Sequence, residues 1–349
     1  MARRTGDGHS SSGLADEHKV SHARQAPPAK GPFSRWPTGA IAALAVFLAI
    51  IAGVLLAWPQ VSRPGIGAAG ASHRSPGALA PRRSPPNTQP FAAARSPSPG
   101  PARHRDPFGP AAVALAAGRP GAVLAAVYDV STGQTWVLGH GRPQAEASVV
   151  KVDILETLLS RYRASGSALP PADLPIARAM IEDSDNDAAT ALWHAAGGPA
   201  RIRAYNAAAG LRHTTPSRCV DCPGFPWPGW GLTTTTPIDQ LTLLRRLVTP
   251  SSLLTAGQRG YALRLMERVT PSQRWGVSGR VPRNVTVALK NGWLPLTSAD
   301  DDWQVNSVGW IHGDGRDYLF AVLTTGNATE QDGIGTIGKL AAIVWRKMR

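Results

Sequence analysis

The sequence predicts an α+β fold in which one antiparallel sheet, assembled from both ends of the folded region, is covered by helices and stands beside an all-helical lobe. Three observations predict it. Strand-like runs occur early, at 122–138, and late, at 285–325, while alanine-rich segments with helical spacing fill 172–208 between them. Everything before about residue 108 is too rich in Pro, Ser, Gly, Ala and Arg to build a core, so only the last 240 or so residues carry the fold.

Residues 1–37 form a basic tail. Up to residue 110 there are thirteen Lys and Arg against four Asp and Glu, so most of the net charge of +14 lies outside the expected core. A nucleic-acid binder would concentrate its cations on a folded face among aromatics, and no such pattern is present. Residues 38–58 are uncharged, apolar and flanked by Trp36 and Trp58, the length and borders of a transmembrane helix. A cleaved signal peptide would have a shorter apolar region and a small-residue cleavage site directly behind it, whereas Pro59, Gln60 and Val61 follow. Residues 59–108 read as a disordered, semi-extended linker because of repeated Pro-Gly and Ser-Pro pairs.

Residues 109–349 are the expected folded domain. A short helix at 111–117 precedes a strand at 122–130, a turn ending in Gly133, and a returning strand at 134–138. The stretch 146–159 follows, with Val149, Val152, Leu155, Leu158 and Leu159 at helical spacing, which puts Ser148 near a helix start and Lys151 one turn on. Alone, that pair reads first as an N-capping serine with a solvated lysine. Helices are expected at 172–180, 186–196, 200–208, 237–248 and 255–269. Strands at 285–290, 303–310 and 318–325 then lead to a last helix at 333–345.

Two further triplets give the serine and lysine a context. Ser184-Asp185-Asn186 stands in a loop between helices, and Lys290-Asn291-Gly292 closes the strand that begins at 285. In that order and setting, Ser148-x-x-Lys151, Ser184-Asp-Asn186 and Lys290-x-Gly292 resemble the motifs of the penicillin-recognising serine enzymes, the class A β-lactamases and penicillin-binding proteins. The resemblance extends from Tyr128 through the Thr233–Thr236 run to the closing strands.

What the resemblance implies is a serine hydrolase that forms an acyl-enzyme on a β-lactam or a peptidoglycan-derived D-alanyl peptide, with no metal or organic cofactor. Ser148 would be the nucleophile and Lys151 its base; Lys290 would depress the pKa of Lys151 and attract a substrate carboxylate, and Ser184 would relay a proton to the departing nitrogen. Asn186 would hold a substrate amide, Gly292 would admit the ligand to the strand, and the backbone N–H groups of Ser148 and Trp293 would form the oxyanion hole. Such chemistry belongs outside the cell, which assigns the tail to the cytoplasm and makes the protein a single-pass protein of the plasma membrane with an extracytoplasmic domain.

The sequence departs from the family at two places. Asn291 replaces the usual Thr or Ser, and no glutamate lies between Glu182 and Glu267, where class A enzymes carry the one that activates the deacylating water. Asp221 is the only carboxylate in the corresponding loop, either a substitute base or a surface aspartate. Without a substitute the ester on Ser148 would persist, so the alternative to a hydrolase is a weakly turning-over binder of β-lactams or wall peptides. Cys219 and Cys222 are the only cysteines, open to a small disulfide loop or, with His213, to zinc. Trp227 and Trp230 either pack the loop or line the cleft. Gly333-Ile-Gly335-Thr-Ile-Gly338 fits a dinucleotide fingerprint, but it follows no strand directly and the acidic ribose partner is missing.

Overall fold

The structure is a computed structural model that describes residues 105–296 and 302–349. The expected tail, the apolar stretch 38–58 and the linker up to residue 104 lie outside the described residues. Among the described residues no helix is long and apolar enough to cross a membrane.

The chain enters through α1 (Gly109–Ala117) and the hairpin β1 (Val123–Asp129) and β2 (Thr135–Leu138). A two-residue strand β3 (Gln144–Ala145) and a 3-10 turn (Ala147–Val149) lead into α2 (Val150–Ala164). The lobe continues with α3 (Asp173–Arg178), a π-helical turn (Ala179–Asp183), α4 (Asn186–Ala196) and α5 (Gly198–Ala209). A 3-10 turn (Gly229–Leu232) and the short strand β4 (Thr234–Thr235) precede α6 (Pro237–Val248) and α7 (Ala256–Glu267). Then come β5 (Thr286–Pro295), β6 (Trp303–Gly313), β7 (Arg316–Asn327) and α8 (Glu330–Lys347). The sheet runs β2-β1-β7-β6-β5, antiparallel throughout, so the first and last strands of the chain meet at its middle.

Helix ends follow local chemistry. Thr236 caps α6 by accepting from the Asp239 N–H, Thr255 and Gln258 form a reciprocal capping box on α7, and Thr329 caps α8. The turn from α4 into α5 passes through Gly197 at φ +102°, a conformation that a side chain resists.

Strand alternation divides the core in two. Val123, Ala125 and Val127 of β1 and Tyr318, Phe320 and Val322 of β7 face α1 and α8, packing with Phe108, Ile337, Leu340 and Val344. The intervening Ala126, Leu319 and Ala321 face the lobe and join α2, α4 and α6. The same alternation sorts β5: Val287 and Leu289 share the α8 face with Asn291, while Ala288 and Lys290 face the lobe.

Two expectations are corrected. The run Lys290–Gly292 does not close its strand but lies inside it, because β5 continues to Pro295 against a full-length partner, each of its ten residues facing one on β6. The reading of the pair as an N-capping serine with a solvated lysine also falls: Ser148 lies in the turn that runs into α2 and makes no cap, and α2 is buried from Val150 to Leu159, Lys151 included.

Candidate active site

Ser148 sits in the 3-10 turn, half-buried, directly after Ala147, whose φ of +51° is strained for a residue with a side chain. The turn is held from two sides. Asn306 of β6 donates to the carbonyls of Ala145 (2.8 Å) and Glu146 (2.9 Å), and the Glu146 N–H donates to Thr233 O (2.7 Å). Gly292 of β5 lies against it so closely that an added Cβ would fall 2.6 Å from Ser148 N and 2.8 Å from Val149 N. Only glycine lets strand and turn meet there.

Lys151, in the first turn of α2, is fully buried and donates to Ser184 O (2.6 Å), Ser184 Oγ (3.1 Å) and Asn186 Oδ1 (2.9 Å). Lys290, also fully buried, reaches the same hydroxyl from β5, with Nζ to Ser184 Oγ at 2.8 Å and to Asn291 O at 2.8 Å. Ser184 can serve both because the π turn before it ends with Ser184 in the left-handed region, φ +58°, which aims its carbonyl and hydroxyl at the amines. Asn186 is not the cap of α4; Asp185 is, accepting from the Ala188 N–H at 2.7 Å, and this leaves the Asn186 amide free for Lys151.

The electrostatics follow from burial. Lys151 is pushed well below the ordinary lysine range, first by desolvation and then by the Lys290 charge, against a smaller opposing pull from Asp185. Desolvation takes Lys290 down to about 7. Two amines, each held below the ordinary lysine range by burial, thus flank one hydroxyl.

The remaining expected residues fall in various places. The Asn291 amide donates to Gln273 O (2.6 Å) and Trp275 O (3.2 Å), so both its donors are spent on holding the 271–276 segment against β5. Trp293 packs against Trp275 with ring centroids 5.8 Å apart. Cys219 and Cys222 are joined in a disulfide, which takes both thiols away from any zinc site; among the described residues no group of His, Cys, Asp and Glu is placed to hold a metal. Asp221 is exposed between them, without a hydrogen bond or ion pair to Ser148, Lys151 or Ser184 among the described residues.

Two site features are not legible in the motifs. Trp230 is buried with its ring 4.9 Å from Lys151 Nζ. Glu146, two residues before Ser148, is wholly buried, and burial followed by Asp153 and Asp239 raises its pKa well above the usual carboxylate range, against a smaller opposing effect of the Gln240 side chain. For Trp230 the available signal was its position three residues before the Thr233–Thr236 run; for Glu146 there was none.

The chain matches the sequence profile described as "Beta-lactamase enzyme family" over residues 160–348, a span that takes in Ser184 and Lys290 and starts beyond Ser148 and Lys151. Curated relatives named "Putative lipoprotein LppW" from Mycobacterium tuberculosis (strain ATCC 25618 / H37Rv) and Mycobacterium bovis (strain ATCC BAA-935 / AF2122/97) are 29% identical over 210 residues, 58% of this chain. The match spans 63% of the relatives' own length, under two thirds. Among solved structures, a class A β-lactamase from Bacteroides cellulosilyticus DSM 14838 aligns with a TM-score of 0.59 and 17% identity over 70% of this chain and 98% of that one. The TLA-1 extended-spectrum β-lactamase gives 0.57 and 17% over 67% and 98%, and a β-lactamase from Chitinophaga pinensis DSM 2588 gives 0.56 and 19% over 67% and 96%. At these identities the structural likeness speaks for the fold.

Proposed function

The chain belongs to the β-lactamase enzyme family, and from that premise we propose a serine acyl hydrolase that takes a β-lactam or a peptidoglycan-derived D-alanyl peptide onto Ser148. One observation carries the reading: two buried amines from separate elements converge on the Ser184 hydroxyl beside the strained turn that presents Ser148.

Lys151, kept neutral by burial and by Lys290, takes the proton of Ser148 Oγ as that oxygen bonds to the substrate carbonyl carbon. The carbonyl oxygen gathers negative charge, for which the N–H groups of Ser148 and Trp293 are the assigned donors. The carbon–nitrogen bond then breaks, and the proton passes from Lys151 through Ser184 Oγ to the departing nitrogen, leaving an ester on Ser148. Lys290 and Gly292 border the position of the substrate, whereas the donors of Asn291 are occupied and add no bond to a substrate carboxylate.

Release of the ester is the weaker half. Among the described residues no carboxylate is hydrogen-bonded to Lys151, and Asp221 is exposed, so none of them is placed to activate a water there. This favours a second reading, a slow enzyme that captures its ligand and holds it. The test is to incubate the full-length chain with a fluorescent penicillin and locate the adduct by mass spectrometry. Label on Ser148, absent from Ser148→Ala, supports the reading, and an unlabelled Ser148 removes it. A burst of nitrocefin cleavage that stalls marks slow release, while steady turnover marks a true β-lactamase.

We assign the folded domain to the outside of the plasma membrane. The relatives' name, putative lipoprotein, supports membrane attachment, and the disulfide supports an oxidising compartment. Residues 38–58 are the proposed single-pass anchor.

A further inference from the structure

The Lys151 amine meets Ser184 in two contacts and Asn186 through its amide oxygen, with Lys290 across the shared hydroxyl. A further side of the amine is covered by the indole of Trp230, 4.9 Å from the nitrogen and 2% exposed. This contact is built rather than incidental. The indole N–H donates to Thr190 Oγ1 of α4 at 3.0 Å, which fixes the ring plane. Behind it, the Gly229 N–H donates to Val220 O at 2.5 Å, and Gly229 abuts Cys222 Sγ so tightly that no side chain fits at that position. In front, Gly231 lies against Ala147, and Thr233 O receives the Glu146 N–H. One short segment therefore connects the disulfide loop, the lysine and the nucleophile turn.

We propose that Trp230 is a positioning residue that seals Lys151 from water, keeping the amine in its basic form for acylation while leaving a water near the ester without a base on that side. The inference rests on Lys151 acting as the base for Ser148. An indole face offers a cation some attraction, but it brings no acceptor and excludes solvent, and for an amine already without water the exclusion dominates. The charged groups facing Lys151 are Lys290 from β5, which opposes its protonation, and Asp185 at the start of α4, which favours it and is exposed. Neither changes when the ring is removed, so a shift on substitution belongs to solvent access.

The test compares the full-length chain with Trp230→Phe, which keeps an aromatic face, and Trp230→Ala, which opens it. The pH dependence of Ser148 labelling and the rate of loss of the label are followed, with the melting temperature as a check on folding. Trp230→Ala is expected to move the lower limb of the labelling profile to higher pH by about one unit or more and to shorten the lifetime of the ester several-fold, while Trp230→Phe stays near the parent. A Trp230→Ala protein that labels less but with an unchanged limb and lifetime overturns the proposal, since a merely structural residue would behave so. A second readout needs no acylation: NMR titration of lysine labelled at Cε should show the Lys151 signal titrating below ordinary lysines and rising in Trp230→Ala but not in Trp230→Phe. If Ser148 never labels, the proposed function fails, and this titration still decides the role of Trp230.

Discussion

Helix α2 carries buried charge at two levels, and the two levels behave differently. In its first turn Lys151 meets groups from the Ser184 loop and, through Ser184, from β5. Further along, Asp153 accepts from Asn206 Nδ2 (2.8 Å) and Thr157 Oγ1 (3.3 Å), and Glu156 accepts from Tyr205 OH (2.6 Å), all within the lobe. Burial perturbs both levels, holding Lys151 down and raising Asp153 to about 7 and Glu156 well above its usual range. What separates them is convergence. The amine shares a hydroxyl with a second amine beside a strained serine turn, whereas among the described residues the hydrogen bonds of the acids stay within α2 and α5. A perturbed pKa thus marks burial, and a reactive site needs groups from several elements at one point.

The comparison breaks most sharply at Lys151. Lys151→Ala should slow labelling of Ser148 by about 10²- to 10⁴-fold, measured as the rate of adduct formation, because the proposed base is gone. Next is Gly292→Ala, whose Cβ would collide with the backbone of Ser148 and Val149. Moving that turn by about 1 Å should slow acylation about 10²-fold while the far-ultraviolet circular dichroism stays unchanged.

The acid level should respond in stability instead. A carboxyl whose folded pKa is raised favours the folded state below its unfolded pKa, and that advantage is lost as pH rises through the folded value. Asp153 should therefore lower the melting temperature between pH 4 and about 7. Lys290, depressed to about 7, penalises folding below that pH, and the penalty lifts as pH rises toward the ordinary lysine value. Together they predict a stability minimum near neutral pH. Asp153→Asn and Glu156→Gln should fill it from the acid side, each raising the melting temperature at pH 7.5 by about 2–4 °C per kcal/mol recovered, with labelling changed less than about twofold. A large loss of labelling in Glu156→Gln would merge the two levels. The smallest effect is expected at Asp221→Asn, where labelling, ester lifetime and melting temperature should all match the parent; a longer ester lifetime would make that loop aspartate a deacylating base.

Local physics in the chain determined much of this protein. Strand-like apolar runs at both ends and alanine-rich helical spacing between them determined the sheet, the lobe and the order of elements, since run length, turn residues and helical period are local properties of the chain. The triplets around Ser148, Ser184 and Lys290 determined which side chains could meet. Tertiary structure decided the rest. That Lys290 faces the lobe and Asn291 the α8 side depended on how β5 registers with β6. The left-handed turn at Ser184 depended on the π turn before it, and the indole over Lys151 on a loop anchored by the disulfide and by Thr233. Desolvation of the two lysines decided their chemistry, and it is a property of everything packed around them, which no short stretch of sequence contains.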